Sequence, residues 1–250
     1  MTTFDVLGAV ELTMAAAIMV AALSAVMGHG MAHRAKIAAA LGGWFIIVVA
    51  LAATGALHDQ QGIAAAGLGL AVAVPIVVMW LALMRAPSLR EGMERAPMEI
   101  LIGVHFLRVL GVSFLILQAS GRLPAPFAPV AGWGDIVAGL AAVPVAWLVY
   151  RQAKGWRAVT VVWNMYGLAD LITAVSLGVL SSPGPLHRIF AEPGAGLMSS
   201  LPWLLIPGFL VPILATTHLA IFHRLARPTR AVPGHRSNLN PGRRGVTITE

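Results

Sequence analysis

The chain has 250 residues and a formal charge of +7; 58% of it is hydrophobic and only 11% is charged, against about 25% charged in an ordinary soluble domain. That balance excludes a soluble globular fold, and the zero cysteine count excludes disulfides, thiolate metal sites and iron–sulfur clusters, leaving His, Asp and Glu as metal ligands. The positive charge does not indicate nucleic-acid binding, because it lies in short loops and in the last 28 residues instead of on one face.

The opening run MTTFDVLGAVELT lacks the positive stretch of a secretory signal and carries Asp5 and Glu11, so the first apolar block, 7–27, is expected to be a retained span. Further blocks follow at 37–57, 62–84, 98–118, 127–150, 158–180 and 201–222. Each is about 20 residues long, the length that crosses about 30 Å of hydrocarbon at about 1.5 Å per residue. This predicts an all-α polytopic bundle of seven transmembrane helices over residues 1–222, with no internal repeat marking two inverted halves. Pro75, Pro144, Pro202, Pro207 and Pro212 fall inside the third, fifth and seventh blocks and predict kinks. Residues 223–250 are rich in Pro, Gly and Arg without apolar periodicity, which predicts a disordered basic tail lying on anionic lipid.

Alternating the loops places Arg34, Lys36, Arg85, Arg90, Arg95, Arg151, Lys154, Arg157 and six tail arginines on one side, 14 of the 17 basic residues, and only Arg122 and Arg188 on the other. By the positive-inside rule the amino terminus is outside and the carboxyl terminus cytoplasmic, as expected in a bacterial inner membrane. Trp80, Trp147, Tyr150, Trp156 and Trp163 are expected at the cytoplasmic interface and Trp133 and Trp203 at the outer one, with Trp44 an exception in mid-span. In the outer loop, Leu186–Phe190 is either a short interfacial helix over the mouth or, the better supported reading, a plain surface connection.

A charge at the centre of a span costs on the order of 2.5–3.5 kcal/mol, so each needs a partner or a wet cavity. The candidates are Glu11, His105, Arg108, Asp135, Asn164, Asp170 and His218. Counting from each block's centre, Arg108 and Asp170 share a level, Asp135 lies about 6 Å and Glu11 about 9 Å further out, and His105, Asn164 and His218 lie about 4, 8 and 10 Å further in. His105 and Arg108 are three apart and project from one face, Asn164 and Asp170 flank Gly167, and Asp135 lies on a stripe with Gly132, Gly139 and Ala142. The sharp expectation is a central network: Arg108 held by Asp135 and Asp170, His105 and Asn164 continuing it inward, Glu11 facing its outer mouth. The plainer expectation is an ion pair that fixes helix register. Three acids against one base favour function, because a buried carboxylate without a counter-charge takes up a proton.

Other chemistries are weaker. The only lysines, Lys36 and Lys154, lie in loops, so no retinal Schiff base is available. His105 and His218 are the candidate pair for a b-type haem, or with Asp135 and Asp170 for a zinc site, though no HExxH or comparable motif is present. His29 and His33, four apart, are either ligands of one ion or headgroup-level loop residues. There is no phosphate loop, nucleophile elbow or dinucleotide fingerprint.

The segments GRLPAPFAPVAGWGD (121–135) and WNMYGLADLITAVSLGVLSSPGPL (163–186) resemble a recurring type of bacterial multi-pass membrane protein without an assigned activity. The resemblance covers about the last two thirds of the chain, includes Asp135, Asn164 and Asp170, and implies no mechanism. The expected function is therefore a polar site handling protons or a small polar or anionic solute in a transporter-like or sensor-like protein. The first alternative is a noncatalytic subunit or assembly partner with structural ion pairs, and the second a membrane enzyme or haem protein using His105 and His218. The expected partners are the bilayer, a proton or small solute, and a membrane protein partner.

Overall fold

Thr2 starts the first helix with a capping box: its hydroxyl accepts from the Asp5 amide while the Asp5 carboxylate accepts from the Thr2 amide. Span one therefore begins at Thr3, ahead of the apolar block, and runs to Met27. The computed structural model describes residues 2–57 and 64–227; the part of the expected tail from 228 onward lies outside the described residues.

Seven helices are long and apolar enough to cross a membrane: Thr3–Met27, Met31–Ala53, Gly67–Arg85, Met98–Ala119, Phe127–Tyr150, Trp156–Leu180 and Ile206–Ala226, called spans one to seven below. The all-α, seven-span expectation is met, and no strand occurs among the described residues. A short helix, Pro87–Arg95, was not expected. It has Pro at the start, where the missing amide costs nothing, and turns Leu89 and Met93, four residues apart, toward the core. Leu186–Phe190 is not helical, so that segment is the plain connection.

Span seven starts at Ile206 instead of 201 and continues to Ala226, and span two starts six residues early, at Met31. Residues 201–204 form turns, and the helix opens with one wide π turn, Ile206–Leu210, before the regular turn resumes at Val211. Pro212 has no amide hydrogen to donate to the Gly208 carbonyl four residues back. The indole of Trp44 in span two donates to that oxygen instead, at 2.9 Å. Trp44 thus sits in mid-span because an orphaned backbone acceptor there needs a donor.

Span four tightens to a 3-10 helix over Val104–Gly111, an unusually long stretch of that geometry. Three residues per turn bring His105 and Arg108 onto one line along the helix, both buried. Span five fits closely against this stretch because its facing residues are small. A Cβ on Gly139 would lie 2.8 Å from the Val109 amide nitrogen, and one on Gly132 would lie 2.7 Å from Leu115. The expected stripe Gly132, Gly139 and Ala142 is buried in this contact.

A candidate buried ion-pair site

Arg108 sits at the middle of span four with its guanidinium closed in by three other spans. Its Nε donates to Asp135 Oδ1 of span five at 2.7 Å, and one terminal nitrogen donates to an Asp170 oxygen of span six. The other terminal nitrogen donates to the Gly167 carbonyl at 3.0 Å and approaches His218 Nε2 of span seven at 3.3 Å. The arginine side chain is 1% exposed, and those of Asp135 and Asp170 are 13% and 8% exposed. One cation therefore cross-links four helices, and its charge is met on two sides.

The hydrogen-bond pattern assigns the imidazole protons. The Asn164 amide nitrogen donates to the His218 backbone carbonyl at 3.0 Å, so Asn164 Oδ1, 2.7 Å from His218 Nδ1, must accept. His218 then carries its hydrogen on Nδ1 and offers a bare Nε2 to Arg108. Thr217 donates its hydroxyl hydrogen to the Leu214 carbonyl and so accepts from His105 Nε2 at 2.9 Å. His105 Nδ1, fully buried, has no hydrogen-bond partner. The two imidazoles lie with centroids 4.1 Å apart and both contact the Trp163 ring, whose indole donates to the Ala138 carbonyl at 3.0 Å.

Glycine makes this approach feasible. A Cβ on Gly167 would lie 2.6 Å from the His218 ring, and one on Gly134 would lie 1.6 Å from Asp170 Oδ1. A cavity of about 30 Å³, bordered by Arg108, Asp135, Leu12, Phe114 and Leu214, adjoins the pair and has room for one water.

The structure brings together Arg108, Asp135, Asp170 and Asn164, four of the six residues expected at the site. His105 joins through ring contact with His218 and a bond to Thr217, and makes no hydrogen bond to Arg108 or Asn164. Glu11 makes no hydrogen bond to Arg108; it accepts one from Ser113, five residues further along span four. His218, expected only as a metal or haem ligand about 10 Å from the centre, contacts the guanidinium directly. The error follows from span seven, whose true centre near residue 216 puts His218 only about 3 Å off the midline. Trp163 and Trp203, expected at the interfaces, are buried, whereas Trp80, Trp133, Trp147 and Tyr150 are exposed as a lipid belt requires.

The site does not fit a bis-histidine haem, because imidazoles in direct contact leave no slot for a macrocycle, and three of the four ring nitrogens are engaged within the protein. Among the described residues no group of three His, Asp or Glu converges as a metal site does. His29 and His33 touch edge to face, with the Arg95 guanidinium against His29, where a metal cation would be repelled.

A second polar group closes the other end of the bundle. Asp5 accepts from Arg122 at 2.7 Å and from the buried indole of Trp203 at 3.1 Å, tying span one to the loop after span four and to the lead-in of span seven. The capping pattern Thr2-x-x-Asp5 was its one signal in the sequence.

Together these features define a multi-pass helical membrane protein with a buried, cross-linked polar core. Residues 65–226 match the family described as "Domain of unknown function (DUF8737)", and the chain belongs to that family. The match takes in spans three to seven and Asp135, Gly167, Asp170 and His218, the hydrogen-bond partners of Arg108. No curated protein and no solved structure matches the chain.

Proposed function

We propose that this is a multi-pass protein of a bacterial cytoplasmic membrane, amino terminus outside, whose Arg108–Asp135–Asp170–His218 site takes up and releases a proton. The observation that carries the reading is charge count: two carboxylates face one guanidinium while both imidazoles are hydrogen-bonded as neutral rings. One negative charge is left over in a low-dielectric interior, and one bound proton neutralises it. Arg108 spends its donors on Asp135, Asp170, Gly167 and His218, which favours a proton over a small anionic solute as the species handled. The orientation rests on the basic loops on the side where Arg95 meets His29 and Arg157 donates to the Leu225 carbonyl.

The same saturation favours a second reading, a purely structural clamp in a subunit or assembly partner. Infrared difference spectra of the purified protein separate the two. As pH is lowered, the proton reading expects one carboxyl group to gain its proton while the helices stay folded, and Asp170→Asn or Asp135→Asn to abolish or displace that signal. If both carboxylates stay ionised until the protein unfolds, the clamp reading stands and the proton reading fails.

A further inference from the structure

Spans two and three are separated by an apolar cavity of about 430 Å³, lined by Ile37, Gly43 and Trp44 on one side and Pro75 and Met79 on the other, with Thr216 and Thr217 of span seven as its floor. The short helix closes its basic end with Leu89 and Met93. A second cavity of about 450 Å³ continues from it, the two sharing Leu83, Met93 and Thr216. This outer half has Arg90, His223 and Arg224 at its rim, and Trp80, exposed, along its wall. The combined groove is apolar inside and cationic at one end, on the scale of a small-molecule site.

The charges at the rim are not balanced from within. Glu94, the rim's carboxylate, is taken by Arg227 at 2.7 Å. Arg224 donates to the Ala96 carbonyl and lies near Glu99 and Glu94, while Arg90, exposed, has Glu94 four residues on as its acidic neighbour among the described residues. The chain's own continuation does not complement the rim, since residues 228–250 carry four arginines against the single side-chain carboxylate of Glu250.

We propose that this groove binds one anionic membrane phospholipid, with an acyl chain in the half between spans two and three and its phosphate against Arg90 and Arg224. The apolar length selects a chain and the cationic rim selects the phosphate. A basic residue at a membrane surface favours an anionic headgroup by about fivefold.

The test exposes the purified full-length protein to mixed micelles of phosphatidylglycerol or phosphatidylcholine, then counts retained lipid by native mass spectrometry. One phosphatidylglycerol per chain is expected, retained over phosphatidylcholine by at least about fivefold. Arg90→Gln, at an exposed position, is expected to remove most of that preference, and millimolar inorganic phosphate to leave the lipid bound. Gly43→Leu, in open space facing the deep half, is expected to expel the lipid without loss of helix. Equal retention of the two lipids by the wild type, or undiminished phosphatidylglycerol in Gly43→Leu, overturns the proposal. So does displacement by phosphate, which would mark a simple anion site.

Discussion

Spans four to seven and spans two and three are equally capable of crossing a bilayer, yet one group is locked and the other splayed. In the most apolar stretches of spans four and seven, 50% and 67% of residues are buried, against 17% in span two and 22% in span three. Apolarity does not separate them, because lipid tails solvate a leucine as well as another helix does. What differs is the polar content and how closely neighbours approach the glycines. His105, Arg108, Asp135, Asn164, Asp170 and His218 all sit in the locked group, whereas span two from Ile37 and span three before Arg85 contain no charged side chain. Glycines at 134, 139 and 167 press against neighbours, but Gly42 and Gly43 in span two face nothing within 4 Å. In this membrane fold, tight packing follows buried polar bonds and missing side chains.

The strongest way to break that contrast is Arg108→Ala, which leaves two carboxylates unpaired inside the locked group. A loss of about 3–5 kcal/mol is expected, enough to leave little folded protein, and adding Asp170→Asn is expected to restore part of it. Unfolding of purified protein in mixed detergent micelles reads both. An unchanged midpoint for Arg108→Ala would mean that the guanidinium is not what holds spans four to seven together.

A paired glycine substitution sharpens the contrast. In Gly134→Ala the new methyl would lie 1.6 Å from Asp170 Oδ1, so spans five and six must part or the carboxylate must leave Arg108. The expected cost is about 1–3 kcal/mol. Gly43→Ala has open space and is expected to gain up to about 1 kcal/mol through helix propensity alone. Equal and small effects in the same unfolding assay would erase the distinction between the two regions.

The sequence disclosed the locked group better than the open one, for physical reasons. A charge in an apolar block is conspicuous and needs a partner, so Arg108, Asp135 and Asp170 could be matched by depth before their contacts were known. Depth failed at His218 because prolines moved the start of span seven by five residues, and helix wheels cannot foresee a π turn. The partner of Glu11 was hidden for another reason: it is Ser113, one and a half turns beyond Arg108 on span four, and a serine carries no charge to draw notice. The role of Trp44 was visible only in retrospect, since its partner is a backbone carbonyl freed by a proline 168 residues away in the chain. The groove between spans two and three left no mark, because a cavity is a property of spacing, and apolar blocks look alike whether or not they touch.

The smallest expected effect lies at the rim of the open region, where Arg227, just past the end of span seven, donates to Glu94 of the short helix at 2.7 Å. That hydrogen bond, with Coulombic help from Arg227 and Arg90, holds the Glu94 carboxyl below its ordinary value of 4.5, and the Arg227 guanidinium is correspondingly raised. A carboxyl whose value is depressed in the folded state adds stability that is complete above the unfolded value and disappears as pH falls through the folded one. The thermal midpoint should therefore be level with respect to this pair above about pH 5 and decline below it. Glu94→Gln should remove that part of the acid slope, and added salt should shrink it in the wild type. Because both partners are solvent-accessible, the shift must be far smaller than that of Arg108→Ala. An acid slope in Glu94→Gln identical to the wild type's would show that the short helix is held by Leu89 and Met93 alone. The two regions would then differ in their ion pairs not by degree but in kind: one buried set that fixes the fold and one surface pair that contributes nothing to it.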